Sequence, residues 1–130
     1  MQKKLLTLVL MLIAAINTFA YDFESNGIYY EILSKEKHTC AVTNQSETSG
    51  KKYAGNLVIP STVQDNDGVD YTVSAISGYA FLGCVELQNV VIPNTVTEIG
   101  DDAFGRCSSL SNITFQSGHK ELYLSDYNNP

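Results

Sequence analysis

Two consecutive stretches of the chain share one order of apolar and polar residues. Residues 73–95 and 96–118 align at a shift of 23 positions without a gap, and seven of the aligned pairs are identical. Nearly all of these shared positions are small or apolar: Val73 and Val96, Ile76 and Ile99, Ala80 and Ala103, Phe81 and Phe104, Cys84 and Cys107, Leu87 and Leu110, and Asn89 and Asn112. Because one such unit cannot bury its apolar face alone, the repeat predicts stacked coils with a continuous core.

The apolar residues inside each unit predict its secondary structure. The spacing L-x-x-L-x-L starts at Leu87 and recurs one period later; with a period of about 20–29 residues it is typical of a leucine-rich solenoid. We expect one strand per coil, at 89–92 and 112–115. Alanine, phenylalanine and cysteine recur at i, i+1 and i+4, one face of a helical turn, so we also expect short helical turns at 78–83 and 101–106.

The strand pattern occurs a third time, earlier in the chain. Residues 56–63 (NLVIPSTV) match residues 89–96 (NVVIPNTV) at an offset of 33, ten more than the repeat period. The extra residues contain Asp67-Gly68, a two-residue turn signal between short β-prone runs. We therefore predict a hairpin inserted into the array at 64–72.

Two segments resemble a known family. "AFLGCVELQNVVIPNTVTEIGDDAFGRCSSLSNITF" and "LVIPSTV" resemble the BspA-type leucine-rich repeat family of bacterial surface and secreted proteins, whose unit reads I-G-x-x-A-F-x-x-C-x-x-L before an I-P strand. Ser77 stands where the family has glycine, and the second copy lacks the proline after its strand. The resemblance implies a β-rich α/β solenoid, here a short leucine-rich repeat array of about two and a half coils. It also implies roles in adhesion and in contact with a host or a microbial community, without a conserved chemistry.

The first twenty residues have the organisation of an export signal. Lys3 and Lys4 form a positive start, residues 5–15 are apolar and uncharged, and small residues precede a cleavage point after Ala20. The apolar stretch is shorter than the roughly 20 residues that a membrane-spanning helix needs. We therefore predict a signal peptide at 1–20, a secreted or cell-surface location and no membrane insertion after cleavage; a buried core helix is the alternative.

The segments on either side of the repeats are expected to close the array. Residues 21–55 contain two β-rich runs around a charged turn and then a polar stretch, which predicts an N-terminal β-hairpin cap followed by a linker. Residues 56–115 are the predicted solenoid. Residues 116–130 lack the next apolar set and are predicted to be a tail or partial cap. Since about three repeats are usually needed for stability, a shortened relative of longer solenoids is an open alternative.

The charge balance argues against some classes of partner. Fourteen acidic residues against eight Lys and Arg give a formal net charge of −6. Nucleic acids and anionic membranes are bound by clustered positive charge. We therefore expect neither of them as a partner.

The reactive side chains indicate little chemistry. Cys84 and Cys107 occupy the same place in adjacent coils; the coil spacing allows a disulfide, but parallel side chains favour reduced, buried thiols. Cys40 is expected to point into the cap, and a thiol enzyme would need His38 or His119 as its base. No cysteine and histidine spacing indicates a metal, no glycine-rich loop indicates a phosphate, and the aspartates of the hairpin turn lack the glutamate of a calcium loop. The sequence predicts neither catalysis nor a cofactor.

The solvent-facing side of the strands is the candidate binding face. Each of the three strands contributes one asparagine to it. Its predicted members are Asn56, Val58, Asn89, Val91, Asn112, Thr114 and Gln116. The asparagines could equally satisfy backbone groups at the strand ends. Three strands at ~4.8 Å spacing make a face only ~10–15 Å wide, so it should bind weakly unless several copies act together.

Three functional hypotheses follow from these patterns. The first is an exported leucine-rich repeat protein without catalysis that recognises a protein or cell-surface ligand, in an adhesin-like role. The second is a truncated or capping fragment of a longer repeat protein without independent function, and the third, least favoured, is a thiol-dependent enzyme. Self-association through the C-terminal sheet edge is a further expectation, because that edge has no following coil.

Overall fold

The computed structural model describes residues 21–45, 53–119 and 122–124. The signal peptide predicted at 1–20 therefore lies outside the described residues. None of the described segments is an apolar helix long enough to span a bilayer. The described residues form ten strands and no helix: β1 (Phe23–Ser25), β2 (Ile28–Ser34), β3 (Thr39–Thr43), β4 (Gly55–Val58), β5 (Thr62–Gln64), β6 (Asp70–Ile76), β7 (Leu87–Ile92), β8 (Glu98–Ile99), β9 (Asn112–Phe115) and β10 (Tyr123–Leu124).

The strands form two sheets. The larger sheet has the order β1-β2-β3-β6-β8-β10, with β5 paired to β6, and the smaller is a parallel sheet in the order β4-β7-β9. In the smaller sheet Asn56 lies opposite Asn89, which lies opposite Asn112. Each offset in the sequence, 33 and then 23 residues, is therefore one step between neighbouring strands. This is the geometry of stacked coils.

The connections at 78–83 and 101–106 are turns, so the short helices predicted there are wrong. Every second backbone N–H of the first turn donates to a carbonyl of the next coil, a direction that the N–H groups of an α-helix do not take. The fold is consequently β-rich with turns, without the α component expected from the sequence. The hydrogen bonds between the two turns run from the N–H groups of Tyr79, Phe81 and Gly83 to the carbonyls of Asp101 (2.9 Å), Ala103 (2.8 Å) and Gly105 (2.8 Å), in that order.

The backbone conformation of these turns repeats with the coil. Tyr79 and Asp102, at equivalent positions, have φ values of 63° and 51°. Four residues later Gly83 and Arg106 have φ values of 74° and 56°. A left-handed residue ends a helical turn. The same two interruptions in each coil explain why neither connection becomes a helix.

Equivalent side chains of adjacent coils stack into inner columns. The rings of Phe81 and Phe104 lie face to face, with centroids 5.0 Å apart and an interplanar angle of 11°. Phe81 is fully buried, so the prediction of continuous columns is confirmed for this pair. The columns are uncovered at their last members, because Ile113 and Phe115 of β9 are 39% and 42% exposed.

Tyr53 joins the N-terminal strands to the repeats. β2 and β3 pair antiparallel, and β3 pairs in parallel with β6. The Tyr53 hydroxyl donates to the Thr43 carbonyl at 2.7 Å and accepts from the Tyr29 N–H at 3.0 Å. Its ring meets Phe81 edge-on at 5.0 Å. Tyr53 is thus a core residue although it falls in the stretch predicted to be a polar linker, and β4 already begins at Gly55.

The hairpin around Asp67-Gly68 belongs to the larger sheet. β5 pairs antiparallel with the first residues of β6, and Gly68 has a φ of 79° in the turn between them. Val63 and Tyr71 on these strands are buried. The hairpin therefore packs onto the core instead of standing clear of it.

Candidate functional site

A ladder of side-chain amides runs across the outer face of the small sheet. The Asn89 Nδ2 donates to the Asn56 Oδ1 at 2.5 Å, and the Asn112 Nδ2 donates to the Asn89 Oδ1 at 2.9 Å. Parallel pairing in register places these side chains one strand spacing apart, a distance that an amide–amide hydrogen bond can span. The structure thus brings the three asparagines together, and they bond to one another.

The ladder leaves both donors and acceptors for a ligand. The Asn89 Oδ1 accepts from Asn112 and lies 3.5 Å from the Ser111 hydroxyl, so its acceptor capacity is turned toward the protein. An amide has two N–H donors. Both hydrogens on the Asn56 Nδ2, and one on the Asn89 Nδ2, have no acceptor within the described part of the chain. A ligand here would meet N–H donors at Asn56 and Asn89 and a carbonyl acceptor at Asn112.

A second column lies beside the ladder. Val58, 61% exposed, lies opposite the half-buried Val91, which lies opposite the exposed Thr114. The two valines supply apolar contact area next to the amides. Gln116 follows β9 with an exposed side chain, and its N–H donates to the Ile92 carbonyl at 3.0 Å. The seven residues of the candidate face carry no formal charge.

Ser111 also belongs to this face, although the sequence did not identify it. Its hydroxyl donates to the Gln88 carbonyl at 3.2 Å and accepts from the Asn112 Nδ2 at 3.4 Å. Ser111 therefore fixes the last step of the ladder. Its position directly before a repeated asparagine was the available signal, and its link to Gln88 depends on the coil stacking that the sequence shows only indirectly.

None of the three cysteines forms a disulfide with another described residue. Burial raises the pKa of Cys40 to about 12 and the pKa of Cys107 to about 11. The Cys107 Sγ donates to the Phe81 carbonyl at 3.0 Å, and Cys84 is buried in the core. Since the thiolate is the nucleophilic form, Cys40 and Cys107 are held in the unreactive state at neutral pH.

A cleft of about 570 Å³ lies between the N-terminal strands and the β5–β6 turn. The Asp22 Oδ2 in its wall accepts from the Ile32 N–H at 2.7 Å. The Asp65 Oδ1 accepts from the N–H groups of Asp67 and Val69, at 2.9 Å each. Both carboxylates thus hold backbone in place. Among the residues that the structure describes, no group of three or more His, Cys, Asp or Glu is arranged to hold a metal ion.

Another cleft, of about 420 Å³, opens at the C-terminal end of the array. Its apolar lining comes from Ile99, Phe104, Ile113, Phe115 and Leu124. The first four belong to the last complete coil, whereas the equivalent residues of the preceding coil are covered by that coil. The cleft is therefore the uncovered end of the inner columns.

The repeat region matches a family of known proteins. Residues 69–129 match the family described as "BspA type Leucine rich repeat region (6 copies)". No curated protein shows a significant match to the chain.

Solved bacterial structures have a similar fold. A leucine-rich repeat protein from Bacteroides ovatus is 35% identical with a TM-score of 0.60, covering 72% of this chain and 23% of its own. A leucine rich cell surface protein from Faecalibacterium prausnitzii is 29% identical with a TM-score of 0.60, covering 76% and 24%. A leucine-rich repeat protein from Bacteroides capillosus is 31% identical with a TM-score of 0.57, covering 72% and 64%. This chain thus spans about a quarter of the length of the first two.

Proposed function

We propose, because residues 69–129 are a BspA-type leucine-rich repeat region, that this protein recognises a ligand outside the cell and does so without catalysis. The binding surface is the outer face of β4, β7 and β9, and the role is adhesin-like. Export through the segment at 1–20 would deliver the protein to the cell surface or the medium. The similarity to a leucine rich cell surface protein supports this location.

The observation that carries the proposal is the alignment of the face. Parallel register sets three asparagines in one straight column and Val58, Val91 and Thr114 in the next. Such a surface offers N–H donors at Asn56 and Asn89 and a carbonyl acceptor at Asn112, beside apolar area. Peptide carbonyls and glycan hydroxyls both supply the oxygens that these donors require.

The size of the face sets the expected affinity. Three strands at ~4.8 Å spacing give a width of ~10–15 Å, well below the ~800 Å² per partner of a standard protein interface. We therefore infer a weak single contact that becomes effective when many copies are displayed together.

The remaining features fit a binding role. We count about two and a half coils, with the β2–β3 hairpin covering the N-terminal side as a cap. The raised pKa of Cys40 and of Cys107 argues against a thiol-dependent enzyme. The proposal requires no cofactor.

The test is saturable binding by protein displayed in many copies on beads. Extracellular-matrix proteins, glycans and bacterial surface preparations are the ligands to be titrated. For a ligand that binds, Val58→Lys combined with Val91→Lys should abolish binding, because it places two charges in the centre of an uncharged contact. Raising the salt from about 0.1 to 1 M shortens the screening length from about 10 to 3 Å and should change binding little.

The matched control adds the same two positive charges to a strand outside the candidate binding face. Thr62→Lys combined with Gln64→Lys alters two exposed residues of β5, and this variant should bind like the unchanged protein. Absence of saturable binding to every ligand tested, or equal losses in the two variants, would refute the proposal.

A further inference from the structure

Within the described residues, the C-terminal end of the array exposes apolar side chains and an unpaired strand edge together. Its apolar columns end in the cleft of about 420 Å³. Strand β9 is the edge of the small sheet and has no strand on its outer side within the described residues. All four of its residues are exposed. Unpaired strand edges beside apolar surface are a template for pairing with another chain.

Three backbone N–H groups in the turn of the last coil, at residues 101–106, also lack partners among the described residues. In the preceding coil the N–H groups of Tyr79, Phe81 and Gly83 donate to the next coil. The equivalent N–H groups are those of Asp102, Phe104 and Arg106, and none of them has an acceptor among the described residues. The C-terminal end of the array therefore combines backbone donors, an edge strand and an apolar cleft.

Within the described residues only β10 lies beyond the last complete coil, and it covers β8 but not β9. β10 pairs with β8 so that Leu124 lies opposite Ile99, an offset of 25 residues.

One acidic and one basic residue at this end are placed so that they can pair with the same two residues of a second copy. Arg106 is exposed and is the one cationic side chain, histidine aside, within residues 53–119. It has no ion-pair or hydrogen-bond partner within the described residues. Asp102 lies at the same distance in sequence on the other side of Phe104. A two-fold axis through Phe104 would set each Asp102 against the Arg106 of the other copy, which is the reciprocity of an isologous contact.

We propose that this end, formed by Asp102, Phe104, Arg106 and β9, binds the same end of a second copy of the chain in a two-fold dimer. The two β9 strands extend the small sheet across the interface, antiparallel to each other. The aromatic residues of the two clefts cover one another, and two Asp102–Arg106 pairs fix the orientation. The dimer turns one narrow binding face into two, and it is independent of which ligand the face takes.

Sedimentation equilibrium of the purified protein over a wide concentration range tests the proposal. The unchanged protein should pass from monomer to dimer and not to larger species, because an isologous contact closes on itself. Arg106→Asp sets carboxylates against each other at both ends of the contact, and the dimer dissociation constant should rise by about tenfold or more. Asp102→Arg combined with Arg106→Asp restores opposite charges and should bring the constant back to within about threefold of the original.

A control separates local pairing from general repulsion between acidic chains. Lys35→Asp changes the net charge by the same amount as Arg106→Asp but lies in the β2–β3 turn, and it should leave the dimer intact. In the unchanged protein, amide exchange in the peptide that contains β9 should slow as the concentration rises. A protein that stays monomeric up to about 1 mM, where binding free energy is only about −4 kcal/mol, would overturn the proposal. So would a double variant that fails to recover, or a Lys35→Asp effect as large as that of Arg106→Asp.

Discussion

Phe81 and Phe104 occupy equivalent places in successive coils but have different surroundings. Phe81 is covered on one side by Tyr53 and on the other by Phe104. Phe104 is covered by Phe81 and lines the open cleft on its far side. Identical side chains at identical repeat positions should therefore contribute unequally to stability.

Alanine substitution at the two positions measures this difference. Phe81→Ala should lower the free energy of unfolding by about 3–5 kcal/mol, because it leaves a cavity inside the column. Phe104→Ala should cost roughly half as much, since the ring is already partly in contact with solvent. Urea unfolding followed by far-UV circular dichroism gives both values. Equal losses would contradict the view that the column is open at Phe104.

The raised pKa values of Cys40, which is buried, and of Cys107, which is partly buried, make stability depend on pH in the alkaline range. Burial raises the pKa of Cys40 to about 12 and of Cys107 to about 11, from an ordinary value of 9.0. The unfolded chain releases these protons first, so their contribution to stability is complete below about pH 9 and is lost as the pH rises through about 11 for Cys107 and about 12 for Cys40. The urea midpoint should fall between pH 9 and pH 10, and fall less when Cys40 and Cys107 are both replaced by alanine. Buried tyrosines with raised pKa values add a similar loss at higher pH.

At the scale of elements, the sequence predicted the stacking better than the turns. The offsets of 33 and 23 residues place the three parallel strands and the asparagine ladder correctly. The connections were mistaken for helices because alanine, phenylalanine and cysteine at i, i+1 and i+4 suit a helical turn and the observed turn equally. Hydrogen bonds between coils distinguish the two, and these involve residues distant in the sequence. Tyr53 was missed for the same reason, since its partners Tyr29 and Thr43 lie on other strands.

The turns also set how closely two coils approach. A Cβ on Gly100 would overlap the Gly78 nitrogen and lie 2.8 Å from the Gly78 Cα. Both contacts are with backbone, which cannot move aside as a side chain can. Gly100→Ala should therefore separate the coils and lower the free energy of unfolding by about 1–3 kcal/mol.

Gly68→Ala is the comparison for that substitution. Gly68 has open space around its Cβ position but a φ of 79°, so alanine there meets only the conformational cost of about 1 kcal/mol. Urea unfolding of both variants separates steric contact from backbone conformation. A Gly100→Ala loss no larger than the Gly68→Ala loss would show that the coils can part without cost.

At the scale of the whole molecule, the two ends of the array differ. At the N-terminal side β3 pairs with β6 and brings Cys40 and Val42 into the core. At the C-terminal side Ile113 and Phe115 of β9 remain partly exposed. Coils contact only their neighbours, so the stability of each depends on how many of its sides are covered. In the last coil β8 has β10 on its outer side, but β9 has no further strand within the described residues, so the β9 part of this coil should be the first part of the molecule to open.

Hydrogen exchange resolves this gradient. Amides of β7, which has a strand on both sides, should exchange through global unfolding, and their rates should follow the urea dependence of the whole protein. Amides of β9 should exchange through local opening, about tenfold or more faster at low protein concentration and with little urea dependence. Mass spectrometry of peptides that contain each strand measures both. Equal protection of β7 and β9 at low concentration would mean that the last coil opens only together with the rest of the molecule.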